Sequence, residues 1–242
     1  MQLSSIETRY SKNFSFITGN NEAINLENYG EYKQKEINLL ALLLSNNVGN
    51  TVVYDVGAGI GTRTIALSKM SAVIAFEHNE DKLKVLKMNT QGKLAPNVMI
   101  VPKSLETTDP HDKDIPNLDG QLMKLPEPSM VCISGDSTPI LRGMTATMML
   151  IKPVIYIDIE NAEDISYQYS ILKERGYEMY WYKCDDYNVN NFKQNTFDIT
   201  FNSFSMNILA IHEDVTMMDG TIDLPRIDGP NDNWTRFKDD RT

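Results

Sequence analysis

The chain has 242 residues, 41% of them hydrophobic, which is enough to bury a sizeable core in one domain. Its 33 acidic residues outweigh 23 lysines and arginines, for a formal net charge of −10. That sign, with no basic cluster beyond pairs such as Lys33/Lys35 and Lys82/Lys84, argues against nucleic acid as a partner. No apolar run nears the ~20 residues that a membrane helix needs. The first residues also lack a secretory apolar core, so a cytoplasmic protein without a membrane partner is expected.

Residues 1–28 are polar, with Phe14, Phe16 and Ile17 as their apolar cluster, and read as a loosely structured N-terminal arm with room for one short strand. From 31 to 45, Ile37, Leu40, Leu43 and Leu44 share one helical face. Thr51-Val52-Val53-Tyr54-Asp55-Val56 is β-branched without clean alternation, the pattern of a central parallel strand buried on both faces. Glycines 57 to 61 break it, and a helix is predicted over 62–70. A strand over 72–77, a helix capped by Asn79 and a strand over 97–101 follow. Residues 102–128, rich in proline and aspartate, read as a long surface loop or insertion. Strands over 129–134 and 153–159 bracket a helix over 140–150, which Pro139 would open. A helix over 161–175 and strands over 177–183 and 205–211 complete the pattern. Residues 214–242 read as an acidic peripheral tail. The repeated strand–helix alternation over 29–213 predicts an α/β, Rossmann-like doubly wound, mostly parallel sheet with helices on both faces. Cys132 and Cys184 lie in apolar strand-like runs and read as buried thiols.

In such a sheet the turn after the first strand carries the key ligand contacts. Here that turn is Gly57-Ala58-Gly59-Ile60-Gly61, whose glycines let backbone approach a ligand closely. A dinucleotide fingerprint needs G-x-G-x-x-G, and Thr62 stands where its last glycine belongs. Asp55, two residues before the first glycine, would repel a pyrophosphate. It suits a phosphate-free cation such as S-adenosyl-L-methionine, which carries an ammonium and a sulfonium. Glu77, closing the second strand, is placed to accept both ribose hydroxyls. Nicotinamide cofactors use the same device, and a solvated strand-end acid is the other reading of Glu77.

Tyr54-Asp55-Val56-Gly57-Ala58-Gly59-Ile60-Gly61-Thr62, then Ala75-Phe76-Glu77 with Asn79, resembles the FkbM-type S-adenosylmethionine-dependent methyltransferases. That family's turn often reads D-V-G-A-N-I-G and its second strand A-F-E-P-N. Leu141-Arg142-Gly143 followed by Lys152-Pro153, and Asn207-Ile208-Leu209-Ala210, extend the likeness over about 24–213. The resemblance implies a methyltransferase fold, S-adenosyl-L-methionine as cofactor and O-methylation of a hydroxyl on a small molecule, sugar or glycan. It places Asp55, Gly57, Ala58, Gly59, Gly61, Thr62 and Glu77 at the cofactor, and His78, Ser104 and Leu105 near the adenosine. His78, where the family has proline, reads equally as a solvated loop histidine. Tyr32 and Glu36 would line the entrance, or form an ordinary helix face.

The family commonly carries K-I-D-V-E-G-A-E on the fourth strand, where this chain has Met130-Val131-Cys132-Ile133-Ser134-Gly135-Asp136-Ser137. The strand's acids are thus replaced by Cys132 and Ser134. A hydroxyl acceptor needs its proton removed. The candidates are Asp136 and Ser134 after the fourth strand, then Asp158 and Glu160 after the fifth, with helix capping the other reading of Asp136. The missing acids leave open a protein that binds the cofactor without turnover. A nicotinamide oxidoreductase and a nucleic-acid methyltransferase fit less well, and a homo-oligomer stays open. No His, Asp or Glu spacing suggests a metal.

Overall fold

A computed structural model describes residues 2–46, 51–91, 94–105, 117–122, 124–159, 164–215 and 223–232. An antiparallel hairpin of β1 (Leu3–Ile6) and β2 (Phe14–Ile17) precedes α1 (Asn21–Tyr29) and α2 (Gln34–Ser45). Next come β3 (Val52–Val56), α3 (Thr62–Leu67), β4 (Ala72–Phe76), α4 (Glu80–Thr90) and β5 (Val98–Val101). After α5 (Leu118–Leu122) and β6 (Met130–Ile133) lie α6 (Ser137–Arg142), a π-helical turn at Thr147–Ile151 and β7 (Val154–Asp158). The chain then forms α7 (Ile165–Lys173), β8 (Tyr177–Asp185) and β9 (Phe204–His212).

Among the described residues, seven strands form one sheet in the order β5-β4-β3-β6-β7-β9-β8. Strands β3, β4 and β5 run parallel, as do β6 and β7, while β9 is antiparallel to β7. This is the doubly wound, Rossmann-like α/β architecture that the sequence predicts. The strand order changes direction beside β3, which makes its carboxyl end the topological switch point. No helix among the described residues is long and apolar enough to cross a membrane.

The chain divides into two compact units, residues 1–104 with 184–205, and 105–183 with 206–242. The first takes in the segment expected as a loose arm. Phe14 and Phe16 of the hairpin are buried in one cluster with Leu26, Ile60, Ile65 and Val85. Two phenylalanines two residues apart give a four-residue strand too weak an alternation to be legible alone, and tertiary packing supplies the rest. Helix α1 starts at Asn20, whose side chain accepts from Ala23 N, and ends at Gly30 in the left-handed region.

In the second unit, Asp119 accepts hydrogen bonds from Ala146 N and Thr147 N, both at 2.8 Å, and from the Thr147 hydroxyl at 2.7 Å. These cap the π-helical turn. The helix expected over 140–150 starts earlier, at Ser137, and breaks at Gly143 before that turn. Of the expected loop 102–128, residues 106–116 and 123 lie outside the described residues, and α5 falls within it. Part of the tail pairs with the sheet's last strand. Trp181 N donates to Pro225 O at 2.8 Å and Ile227 N to Met179 O at 2.9 Å, so residues 225–227 run along β8.

Candidate functional site

The strand β3 delivers Asp55 and Val56 to the glycine turn, and β4 delivers Phe76 and Glu77 beside it, with Asp55 in register with Ala75. Gly57 N and Ala58 N both donate to Phe76 O at 3.0 Å, which ties the turn to the end of β4. Gly57, Gly59 and Gly61 have φ of 74°, 62° and 95°, left-handed values that side chains rarely adopt. Their surroundings differ. A Cβ on Gly59 would meet nothing within 4 Å, whereas one on Gly61 would come 2.7 Å from Leu86 Cδ1. Gly61 lets α3 pack closely on α4. Gly59 opens a space in front of the turn.

Glu77 is buried, 4% exposed, and its carboxylate faces that turn. Its Oε2 accepts from Gly59 N at 2.8 Å and its Oε1 from Asn79 N at 2.7 Å. A carboxylate oxygen has room for more than one donor, so Glu77 keeps the capacity to accept ribose hydroxyls. It also holds the amide that a diphosphate would need. A second carboxylate stands at the start of α3, where the Thr62 hydroxyl donates to Glu22 Oε1 at 2.6 Å. Burial pushes the Glu22 carboxyl above its ordinary value of 4.5, against the Thr62 hydrogen bond and nearby Lys82 and Lys33.

Asp55 lies beneath the turn. It is fully buried, and Arg63 and Thr64 take up its carboxylate. Arg63 Nε donates to Oδ1 at 2.9 Å, with Nη2 at 2.8 Å, and the Thr64 hydroxyl donates to Oδ2 at 2.6 Å. Arg63 Nη1 also reaches Glu36 Oε1 at 3.1 Å. Two carboxylates share one guanidinium beneath the turn. The carboxylate of Asp55 is thus taken up inside this trio and by Thr64. Sequence reasoning missed Arg63 because the arginine of a helix's first turn gives no local sign of which acid it will meet.

Among the other residues expected at the cofactor, Ala58 is buried, His78 is exposed and Ser104 is half-buried. Leu105 is buried and belongs to the second unit. A cavity of about 20 Å³, room for a single water, touches Tyr10, Glu31, Tyr32, Thr62 and Ile65.

In the second unit, Ser134 directly follows β6, Asp158 ends β7, and the two meet, with the Ser134 hydroxyl donating to Asp158 Oδ2 at 2.5 Å. Asn207 stands opposite Asp158 in the β7–β9 register. With its amide turned to satisfy its neighbours, Asn207 Nδ2 donates to Asp158 Oδ1 at 3.1 Å and its carbonyl accepts from the Tyr156 hydroxyl at 3.0 Å. Asn207 and Tyr156 are fully buried, and Asp158 is half-buried. Asp136 is exposed and caps α6 by accepting from Thr138 N at 3.3 Å. Glu160 lies outside the described residues. Cys132 and Cys184 are buried and form no disulfide. Burial, reinforced by Glu36, pushes the Cys184 thiol up to about 12, which leaves it a poor nucleophile. Among the described residues, no group of three or more His, Cys, Asp or Glu could hold a metal ion.

No protein-family model matches the sequence, and no curated protein sequence matches it. The structure is similar to precorrin-8w decarboxylase of Methanobacterium thermoautotrophicum, with a TM-score of 0.51 and 17% identity over 73% of this chain and 89% of that one. It is also similar to precorrin-6y C5,15-methyltransferase of Geobacter metallireducens, at 0.49 and 19% over 71% and 85%. Against methyltransferase FkbM of Methylobacillus flagellatus the values are 0.41 and 16%, over 66% of this chain and 43% of that one. At such identities the likeness is one of fold. The class is that of a doubly wound, Rossmann-like α/β protein.

Proposed function

We propose that the protein is an S-adenosyl-L-methionine-dependent methyltransferase. The observation that carries this reading is the hydrogen bond from Gly59 N to Glu77, made at a turn with open space before Gly59. A carboxylate on the amide of a glycine turn disfavours a pyrophosphate there and favours a phosphate-free nucleoside with positive charge. The space in front of Gly59, which a Cβ would fill, and the spare acceptor capacity of Glu77 fit such a cofactor. Gly57, Ala58, Gly59 and Gly61 would line it, Glu77 would hold the ribose, and Thr62, His78, Ser104 and Leu105 would border it. Asp55 would act from beneath, by fixing the turn through Arg63 and Thr64. When bound, the cofactor supplies a methyl group already activated by its sulfonium.

The acceptor is a hydroxyl of a small molecule, sugar or glycan, and Asp158 takes its proton. Two donors, Ser134 and Asn207, orient the Asp158 carboxylate. That pairing offers an acid from β7 near the position that the family's β6 acids would occupy, with Ser134 in contact with it. Asp136 is engaged in capping α6 and contributes less to this reading. The net charge of −10 supports a neutral acceptor over nucleic acid. The second reading, cofactor binding without turnover, draws on Cys132, which is buried where the family has an acid.

Calorimetric titration of S-adenosylmethionine and S-adenosylhomocysteine into the wild type and into Glu77→Ala tests the assignment. Micromolar binding lost in the variant is the expected result. NAD binding more tightly than either would overturn it.

A further inference from the structure

Asn89, near the end of α4, is 2% exposed and joins the N-terminal hairpin to the glycine turn. Its Oδ1 accepts from Ser15 N at 2.7 Å, and its Nδ2 donates to Ser15 O and to Ile60 O, both at 2.9 Å. Both amide hydrogens and the carbonyl are used, and the partners fix which way the amide points. Ser15 sits between Phe14 and Phe16, and pairs with Ser5 in the hairpin. Ile60 lies between the left-handed Gly59 and Gly61, and its side chain packs in the cluster with Phe14 and Phe16.

The turn is therefore held from this side twice, through the Ile60 carbonyl by Asn89 and through the Ile60 side chain by the hairpin phenylalanines. Glycines on either side of Ile60 make the backbone there easy to displace, because nothing in their own conformational preferences resists it. We infer that Asn89 is a positioning residue for the cofactor turn, and that the hairpin at residues 3–17 is a working part of the cofactor site. The inference rests on the proposed cofactor reading and adds residues to which neither the glycine motif nor Glu77 points.

Two variants separate positioning from general stability. Asn89→Leu removes all three hydrogen bonds at similar volume. Asn89→Asp keeps an acceptor for Ser15 N but turns an oxygen toward the Ile60 carbonyl. Leu172→Ala, in the buried face of α7 within the other unit, lowers stability without touching the turn. Each is titrated with S-adenosylhomocysteine well below its melting temperature. The expected result is affinity weakened about tenfold in both Asn89 variants, on the scale of one buried hydrogen bond, and within about twofold of wild type in Leu172→Ala.

Amide hydrogen exchange at Gly61, whose N–H bonds Ala58 O at 3.0 Å, is read without ligand and is expected to quicken in both Asn89 variants alone. Wild-type affinity and exchange in the Asn89 variants overturn the inference. So does an equal loss of affinity in Leu172→Ala. If the wild type binds no S-adenosylhomocysteine, the cofactor reading fails, and the exchange rates decide whether Asn89 holds the turn.

Discussion

Arg63 Nη2 lies 2.8 Å from Asp55 Oδ1, and the same guanidinium reaches Glu36 at 3.1 Å. All three residues are buried. Removing the shared cation leaves two carboxylates facing each other in a low-dielectric site. Arg63→Met is expected to cost about 3–5 kcal/mol of unfolding free energy. Combining it with Glu36→Gln and Asp55→Asn should recover most of that loss in denaturant titrations. A cost below 1 kcal/mol for the single change would show that the trio is not a unit.

Glu77→Gln keeps the size of the side chain and exchanges one acceptor oxygen for an NH2 group. Its amide either points nitrogen at Gly59 N or gives up Asn79 N. Charge-assisted hydrogen bonds are worth about 1.5–3 kcal/mol each, so affinity for S-adenosylhomocysteine is expected to fall about tenfold to a hundredfold in calorimetry. Asn79→Ala, which removes only the cap of α4, should leave affinity much closer to wild type.

Gly59 and Gly61 should respond differently to alanine. Gly61→Ala puts a methyl 2.7 Å from Leu86 Cδ1 at φ of 95°. It should destabilise the fold by about 2–5 kcal/mol, combining backbone strain with overpacking. Gly59→Ala carries strain of only about 1–2 kcal/mol, since the space before it is open. Its larger effect is expected on cofactor affinity. Thermal melts and titrations on both variants separate the two costs.

Asp158→Asn should lower turnover on a hydroxyl acceptor by about a hundredfold or more, as expected for loss of a positioned base. Cofactor affinity should stay within about twofold of wild type. Asn207→Leu and Ser134→Ala leave the carboxylate in place without one orienting donor, and intermediate losses are expected. Unchanged turnover in Asp158→Asn would remove Asp158 from the chemistry.

Burial raises the Glu22 carboxyl in the folded chain above its ordinary value of 4.5. A raised acid favours the folded state while protonated. That contribution is complete below 4.5 and is lost as pH rises through the folded value. Glu22→Gln stays uncharged, so its stability relative to wild type should increase as pH climbs above 4.5. Denaturation midpoints measured from pH 4 upward check the sign.

The parts of the site legible in the sequence are those fixed by local chemistry. Three glycines in five residues required an unusual turn, and Glu77 stood out as the acid that closes the second strand. Asn79 as a plain cap followed from residue type. The partners that hold the site were not legible, because each acts across a long stretch of chain. Arg63 finds Glu36, Asn89 finds Ser15, and Asn207 finds Asp158 only after the strands are laid side by side. The partners of Asp55 were hidden for the same reason: its arginine, eight residues on, turns back beneath the strand. One short strand in the arm was foreseeable, but its pairing into a hairpin was not, since Phe14 and Phe16 gain their meaning from Ile60 and Val85.

The segment at 225–227 bears on how the molecule meets its own kind. β8 comes last in the sheet, and a terminal strand ordinarily offers a row of unpaired peptide groups to any neighbour. Here Trp181 N and Met179 O are already engaged by Pro225 and Ile227, and Arg226 pairs with Glu178. Pro225 has no N–H to offer a further strand. Over residues 179–181 this border is therefore covered by the chain's own backbone, which removes that stretch from strand-by-strand stacking between copies.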